Sequence, residues 1–364
     1  MEINNKVFTT FQIEDESQIF EIRKKIKNTT TGFKLTDEFE GSTNIVVTEL
    51  ATNLLKHTKT GGEILLRFEN TDEFVSVEIL AIDKGKGITN IENALTDGYS
   101  TSGSAGTGLG AVKRISSEFD IFSQLNKGAI VYSKIIKQKR NFQTVKSYSG
   151  NLILSALITA KPNEEYCGDY YKIIQSEKSV KICLLDGLGH GYSAYISAIE
   201  AAAVFDKMSD SSIQDILKAA NQKMIGKRGA VISLFEFNFI DRIVRHCGIG
   251  NITAKIISEF STDSFPAIPG FIGGGEILLK TNEIKIPENF LFIAFTDGIS
   301  QQIYSKLNKD SVCDIPLDYL LKKNPLIIAA FFYRDFYKKT DDAAIIIGKG
   351  SYSVKNFGED VWKI

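Results

Sequence analysis

Hydrophobic positions change their period along this chain, and the changes mark out its elements. Before residue 140 they recur at helical spacing over 16–28, 42–57 and 109–119, and they alternate or run continuously over 63–69, 74–82, 120–124 and 129–136. That order predicts two helices, two strands, a long Gly/Ser loop, a third helix and two more strands. After residue 150 the pattern predicts strands near 151–160, 167–175 and 179–186, helices over 193–208 and 212–225, and strands over 230–238, 242–248 and 252–257. A strand over 290–297, a helix near 316–322 and a strand over 343–348 complete it. The short gaps between successive strands favour antiparallel hairpins over crossovers. The class expected is α+β, in two domains.

The stretch 137-KQKRNFQTVKSYSG-150 is polar and basic, has no helical stripe and ends in Gly. It reads as the boundary. With 364 residues the chain is long for a single domain. The expected division is 1–138, a linker over 139–149, a second domain over 150–350 and a tail over 351–364 that carries Trp362.

Composition narrows the function classes. A formal net charge of −1 supplies no broad basic field, so nucleic acid is not expected as a partner. No apolar run approaches a membrane span and 1-MEINNKVFTT-10 has no signal-peptide character, so a cytoplasmic protein is expected. Cys167, Cys183, Cys247 and Cys313 form no CxxC pair, and none is followed six positions later by Arg. They read as structural thiols of a reducing compartment, without phosphocysteine chemistry.

Two regions carry chemistry. In 45-IVVTELATNLLKHT-58, Ile45, Val46, Val47, Leu50, Leu54 and Leu55 make a wide apolar face, and Glu49, Asn53 and His57 share one polar stripe. Taken alone, that stripe is the solvated side of a helix. Strand 74–82 then ends at Asp83, whose carboxylate suits an adenine amino group, and Gly85 and Gly87 after it allow close backbone approach to a flat base. Gly106, Gly108 and Gly110 run into the third helix, and free N–H groups there suit phosphate. The spacing is neither a Walker loop nor a Rossmann fingerprint.

Residues 1–138 resemble the GHKL ATPase superfamily, in the branch of RsbT-like and SpoIIAB-like switch kinases and anti-sigma factors, through ELATN (49–53), DKGKG (83–87) and DGYSTSGSAGTGLGAVKR (97–114). The resemblance implies a GHKL α/β sandwich that binds ATP with Mg²⁺. Asn53 would coordinate that Mg²⁺, Glu49 would act as general base or polarise the attacking hydroxyl, Asp83 would read adenine, and Gly106, Gly108 and Gly110 would hold phosphates under a mobile lid. The family phosphorylates Ser or Thr on small STAS-domain antagonists, and its members often dimerise, so a homodimer is an expectation. No phosphoacceptor His domain accompanies it.

The second region is a set of acids on apolar runs: 180-VKICLLDG-187, 290-FLFIAFTDG-298 and 341-DDAAIIIG-348. Asp186 and Asp297 are read as closing the first two strands and Asp341 as opening the third. Asp169 lies upstream in 167-CGDYYK-172. A carboxylate beside a buried strand is costly unless paired or metal-bound. Several converging would cage a hard cation such as Mg²⁺ or Mn²⁺. Adjacent strand residues point to opposite faces, so only one of Asp341 and Asp342 is expected to ligate, and Asp341 is the choice. His190, in 186-DGLGHG-191, has no second His or Cys at zinc-ligand spacing and is read as a solvent or substrate contact.

Residues 150–350 resemble the PPM-type metal-dependent serine/threonine phosphatases, in the SpoIIE and RsbX branch, through GD (168–169), DGLGHG (186–191), HCGIGNI (246–252), FTDGI (295–299) and DDA (341–343). The resemblance implies an α-β-β-α sandwich with two Mn²⁺ or Mg²⁺ ions. Asp186 would bridge them, the Gly187 carbonyl would join one, Asp297 and Asp341 would bind the other, and Asp169 would hold metal-bound water, which attacks directly. Many members outside this branch carry a phosphate-binding Arg near the first acidic motif. This sequence has no clear counterpart.

The combined expectation is a bacterial signalling protein. A kinase half would phosphorylate a STAS-domain antagonist, and a phosphatase half would reverse that, or act on a stressosome scaffold protein. The alternative is a first half that binds nucleotide and partner without transferring phosphate. Opposed activities on one chain would consume ATP futilely unless lid closure or partner binding selected one.

Overall fold

The computed structural model describes residues 6–96, 108–138 and 152–351. The expected linker over 139–149, the tail beyond Ser351 and Gly106 lie outside them. The chain falls into two compact units, Met1–Thr144 and Val145–Ile364.

The first unit runs β1 (Thr9–Ile13), α1 (Ser17–Gly32), α2 (Asp37–His57), β2 (Gly62–Asn70), β3 (Phe74–Ile82), α3 (Ile91–Ala94), α4 (Gly108–Ile115), β4 (Glu118–Gln124) and β5 (Gly128–Gln138). The strands form one antiparallel sheet of order β1-β2-β3-β5-β4. Ile22 and Ile26 of α1, Val46, Val47, Leu50 and Leu54 of α2, and Val112 of α4 share a core with Ile64, Leu66, Val77, Ile79 and Val131 of the sheet. Within the sheet Arg67 pairs with Glu78 at 2.5 Å, and Tyr132 donates to Glu78 at 3.3 Å.

Helix α2 begins five residues before its apolar stripe. Thr36 caps it, accepting from Phe39 N, and Asp37, Glu38 and Glu40 oppose the helix dipole in the first turn. Ile45, assigned to the apolar face, is half exposed. Helix α4 stops at Ile115 rather than 119, because Ser117 N bonds to Lys134 O and the chain enters β4. Strand β1 is a five-residue edge strand that the apolar pattern did not mark.

The second unit runs β6 (Leu152–Thr159), β7 (Asp169–Gln175), β8 (Ser179–Gly187), α5 (Gly191–Lys207), α6 (Ile213–Met224), β9 (Ala230–Asn238), β10 (Ile243–Ile249), β11 (Thr253–Ile257), β12 (Thr262–Ser264), β13 (Asn282–Lys285) and β14 (Asn289–Phe295). A small three-stranded sheet follows, β15 (Leu307–Asn308), β16 (Ser311–Val312) and β17 (Ile315–Pro316), then α7 (Leu317–Leu321), α8 (Pro325–Phe336) and β18 (Ala343–Ser351).

Two five-stranded antiparallel sheets, β13-β10-β9-β8-β7 and β12-β11-β14-β18-β6, pack face to face. Phe235 and Phe237 of β9 meet Phe292 of β14 with ring centroids 5.0 and 5.2 Å apart, edge to face. Outside the first sheet, Ala198, Ala201, Ala202 and Phe205 of α5 and Ile216, Leu217 and Ala220 of α6 pack on Cys183, Leu185, Ile232 and Leu234. Outside the second, α8 lies against β6 and β18. The layers are therefore α-β-β-α, matching the expected class.

Helix α8 was not expected from the sequence. Every residue of it except Asp335 is buried, so 327-IIAAFFY-333 carries no polar stripe and a short apolar run cannot be told from a strand. Pro325 in the first turn and the Asn324 side chain accepting from Leu326 N set its start. Among the described residues no helix is long and apolar enough to cross a membrane, and all four cysteines are buried and unbridged.

Candidate nucleotide pocket and candidate metal centre

In the first unit, three segments meet at one end of α2. Glu49 and Asn53, one turn apart, are partly buried, and neither side chain hydrogen-bonds within the described residues. The start of α4 crosses them: a Cβ on Gly108 would stand 3.0 Å from Glu49 Oε2 and 3.6 Å from Asn53 Nδ2. Gly110 is buried one step further along the helix.

After β3, Asp83 is fixed by backbone. Its Oδ1 accepts from Gly85 N at 2.6 Å and its Oδ2 from Ala129 N at 3.2 Å. A Cβ on Gly85 would stand 2.9 Å from Asp83 Oδ1 and 3.3 Å from the His57 carbonyl, which ties this loop to the end of α2. Gly87 has φ +74°, and a side chain there would collide with the Gln124 carbonyl. The exposed His57 contributes its carbonyl to that junction.

In the second unit the acids come from both sheets. Antiparallel register sets Asp169 of β7 opposite Asp186 of β8. Asp169 is buried, and its Oδ2 accepts from Thr296 Oγ1 at 2.6 Å; that hydroxyl also accepts from Ala344 N at 2.9 Å. Asp297 lies two residues beyond β14 rather than at its end; Asn251 Nδ2 donates to its Oδ2 at 2.9 Å and Lys338 Nζ to its carbonyl at 2.5 Å.

Asp341 and Asp342 precede β18 instead of beginning it, so strand alternation does not govern them; the turn's hydrogen bonds do. Asp342 is buried and spent on backbone: Oδ1 accepts from Lys161 N and Oδ2 from Gly168 N, each at 2.8 Å. Asp341 stays partly exposed and accepts from Asp342 N at 2.9 Å.

Electrostatics mark Asp186. Burial first, then the charges of Asp297, Asp341 and Asp342, push its carboxyl up to about 8. Burial and Asp186 hold the Asp169 carboxyl well above the usual range. Within the described residues no hydrogen bond or ion pair reaches the Asp186 side chain. An oxygen-rich set that repels itself fits a hard divalent cation, which would relieve both terms. The acids feel one another without being drawn into a finished ligand set: among the described residues no three His, Cys, Asp or Glu side chains close around one point.

The surrounding loop is built for close approach. A side chain at Gly187 would collide with the Ala194 carbonyl of α5, and one at Gly298 with the Asp342 carbonyl. Gly187 N donates to Gly168 O at 3.0 Å, tying the two acidic motifs together. His190 lies within 2.9 Å of Glu164 Oε1 through Nδ1, as a surface pair rather than part of a zinc set.

Sequence reasoning passed over Thr296, Asn251 and the structural task of Asp342. All three lie inside motifs already noted, but their partners are more than forty residues away in sequence.

Known proteins sort the two units separately. Residues 13–133 match the family model described as the histidine kinase-like ATPase domain, and residues 176–347 match that of stage II sporulation protein E (SpoIIE). The chain belongs to both families, an RsbT-like ATPase domain fused to a SpoIIE/RsbX-type PP2C serine/threonine phosphatase domain. It is 30% identical over 152 residues to the phosphoserine phosphatase RsbX of Bacillus subtilis, covering 41% of this chain and 76% of that protein. It is 33% identical over 97 residues to the serine/threonine-protein kinase RsbT of the same organism, covering 27% of this chain and 71% of that protein. A crystal structure of RsbX in complex with magnesium superposes with a TM-score of 0.47 at 24% identity, covering 54% of this chain and 94% of that one.

Proposed function

We propose that the first unit transfers phosphate from Mg²⁺-ATP to a Ser or Thr of a STAS-domain partner, and that the second removes phosphate from such a protein with two Mg²⁺ or Mn²⁺ ions. The pairing sets both directions of a phosphorylation switch in a sigma-factor or stressosome-type pathway. Similarity to a kinase and to a phosphoserine phosphatase supports it.

The observation that carries the phosphatase half is Asp186, set opposite Asp169 across β7 and β8, mostly buried and surrounded by like charge. Asp186, Asp297, Asp341 and the Gly187 carbonyl would hold the ions, and Asp169, braced by Thr296, would orient a ligand water. The ions, when bound, supply charge neutralisation for the phosphoryl group and lower the pKa of a coordinated water. The chain's own contribution is to hold Asp169 and Asp186 in register across β7 and β8 and to anchor Asp297 through Asn251.

The kinase half rests on Gly108, whose missing side chain leaves the α4 entrance open against Glu49 and Asn53. Asn53 would hold the nucleotide's Mg²⁺, Glu49 would take the acceptor's proton or polarise it, and Gly106, Gly108 and Gly110 would bring N–H groups to the phosphates. Asp83 would face the adenine amino group, with Gly85 and Gly87 under the base.

The test uses purified protein, a STAS-domain protein and γ-labelled ATP, with Asn53→Ala and Asp186→Asn beside wild type. Label that persists in Asp186→Asn, turns over in wild type and is absent in Asn53→Ala is the expected pattern. Binding of ATP and partner with no transfer, even in Asp186→Asn, would replace the kinase by a nucleotide-dependent binding module.

A further inference from the structure

We infer that Arg228 is the phosphate-binding residue of the second unit, supplied from a place in the chain where no acidic motif points to it. The inference rests on the phosphatase reading of that unit. No arginine stands beside the DGLGHG loop in sequence, yet the fold brings one there.

The β8–β9 ladder pairs Gly187 with Ala230 and Asp186 with Val231. The residues just before β9 therefore pass the end of β8 and lie along the loop after Gly187. Leu188 N bonds to Gly229 O at 3.4 Å, and Ser197 Oγ of α5 donates to the same carbonyl. Arg228 Nε donates to the Leu188 carbonyl. Its Nη2 occupies the space a side chain on Gly189 would need, and Gly189 has φ +89°, so that position is reserved twice over for glycine. The guanidinium is thereby anchored two residues from Asp186.

What it lacks is an acid. Arg245 of the same unit pairs with Glu283 and Glu236, and Arg334 with Asp335. Arg228 is exposed and forms no ion pair within the described residues, although the loop it braces follows directly on Asp186. A guanidinium carries five N–H donors. One is spent on Leu188, and the four on Nη1 and Nη2 have no protein acceptor among the described residues. A planar fork held by the backbone of the loop that follows Asp186, and left without an acid, suits a phosphate monoester dianion, which it can grip through two oxygens. The acids would then face cations and the fork would face the anion that bridges them.

The rival reading gives Arg228 only the task of bracing the loop. Titration calorimetry of the full chain separates them, using inorganic phosphate in the presence of Mg²⁺, and Mg²⁺ alone, with wild type, Arg228→Ala and Arg228→Lys. Steady-state hydrolysis of a phosphoserine peptide runs alongside. The expected result for Arg228→Ala is a loss in phosphate affinity of about tenfold or more, the scale of one charge-assisted contact. The peptide KM rises to match, Mg²⁺ affinity stays within about twofold, and millimolar guanidinium restores phosphate binding. Arg228→Lys, which keeps the charge without the fork, falls between and serves if the alanine variant does not fold. Unchanged phosphate affinity, or a loss that appears only together with lost Mg²⁺ affinity, overturns the assignment. Wild type that binds phosphate through Arg228 yet hydrolyses no phosphopeptide would instead sink the phosphatase reading and leave Arg228 standing.

Discussion

Asp169 and Asp186 face each other directly across the β7–β8 ladder. Two carboxylates opposite one another in a mostly buried pair repel, and such a pairing detracts from the stability of the sheet that holds it. The fold accepts this at the place where the two sheets meet, with Thr296 donating to Asp169 and, among the described residues, no donor reaching the Asp186 side chain. A divalent cation would offset that repulsion.

That cost has a sign that pH will show. Burial and the neighbouring acids push the Asp186 carboxyl in the folded protein up to about 8, from about 4 in an unfolded chain. Between these values the folded state binds more protons than the unfolded state, so stability falls as pH rises through that window. With chelator present, the second unit should unfold at lower urea at pH 8 than at pH 5. Mg²⁺ should reverse the trend, and Asp186→Asn should weaken it, the remainder coming from Asp169 and Asp342, whose carboxyls burial also raises. Asp186→Asn should also raise the metal-free melting temperature by roughly 3 °C, the shift of about 1 kcal/mol in a unit this size. A metal-free stability that rises from pH 5 to 8 would refute this account.

Asp341 and Asp342 should separate cleanly by substitution. Asp342→Ala strips acceptors from the Lys161 and Gly168 N–H groups, one part-buried and one buried, and should cost about 2–4 kcal/mol in urea denaturation. Asp341→Ala should cost less than about 1 kcal/mol, since its carboxylate is partly exposed, while weakening Mg²⁺ binding seen by calorimetry. The reverse ranking would move the ligand role to Asp342.

Gly108→Ala tests the nucleotide pocket while leaving every polar side chain in place. A methyl there would press on Glu49 Oε2 at 3.0 Å while remaining compatible with helix geometry. Nucleotide affinity, read with a fluorescent ATP analogue, should drop about tenfold with the melting temperature unchanged or higher. Unaltered affinity would place the phosphates elsewhere.

The first unit has its own electrostatic pin. Burial opposes ionisation of Glu78, but Arg67 and Lys134 outweigh it and hold its carboxyl below the usual range. Glu78→Ala leaves Arg67 buried without its partner and should destabilise the unit by about 3 kcal/mol. Glu78 contributes stability above its unfolded pKa and loses it as pH falls through the lower folded value. Acid unfolding monitored in the wild type and Glu78→Ala should therefore draw together only as pH falls through that lowered folded value.

Sequence pattern reached the long elements because their burial is one-sided or their runs are bounded by Gly and polar residues. It failed where burial is complete or pairing is remote. Helix α8 has no polar stripe to betray its period, and β1 is too short to show alternation. The site was legible as motifs but not as contacts. Nothing near Asp297 in sequence names Asn251, and the reading of Asp341 as a strand residue overlooked the turn that spends Asp342 on Lys161 and Gly168. Arg228 is the clearest case: its role follows from strand register, which composition and periodicity do not encode.

Strand β18 lies between β14 and β6, so the last strand of the second unit joins its first strand to the rest of the sheet. Asp169 and Asp186 come from one sheet, and Asp297 and Asp341 flank strands of the other. No contiguous stretch of chain can assemble this set. Asp169 and Asp186 need only the β7–β8 hairpin to stand side by side, whereas Asp297 and Asp341 belong to a sheet closed by strands from the two ends of the unit, β6 and β18.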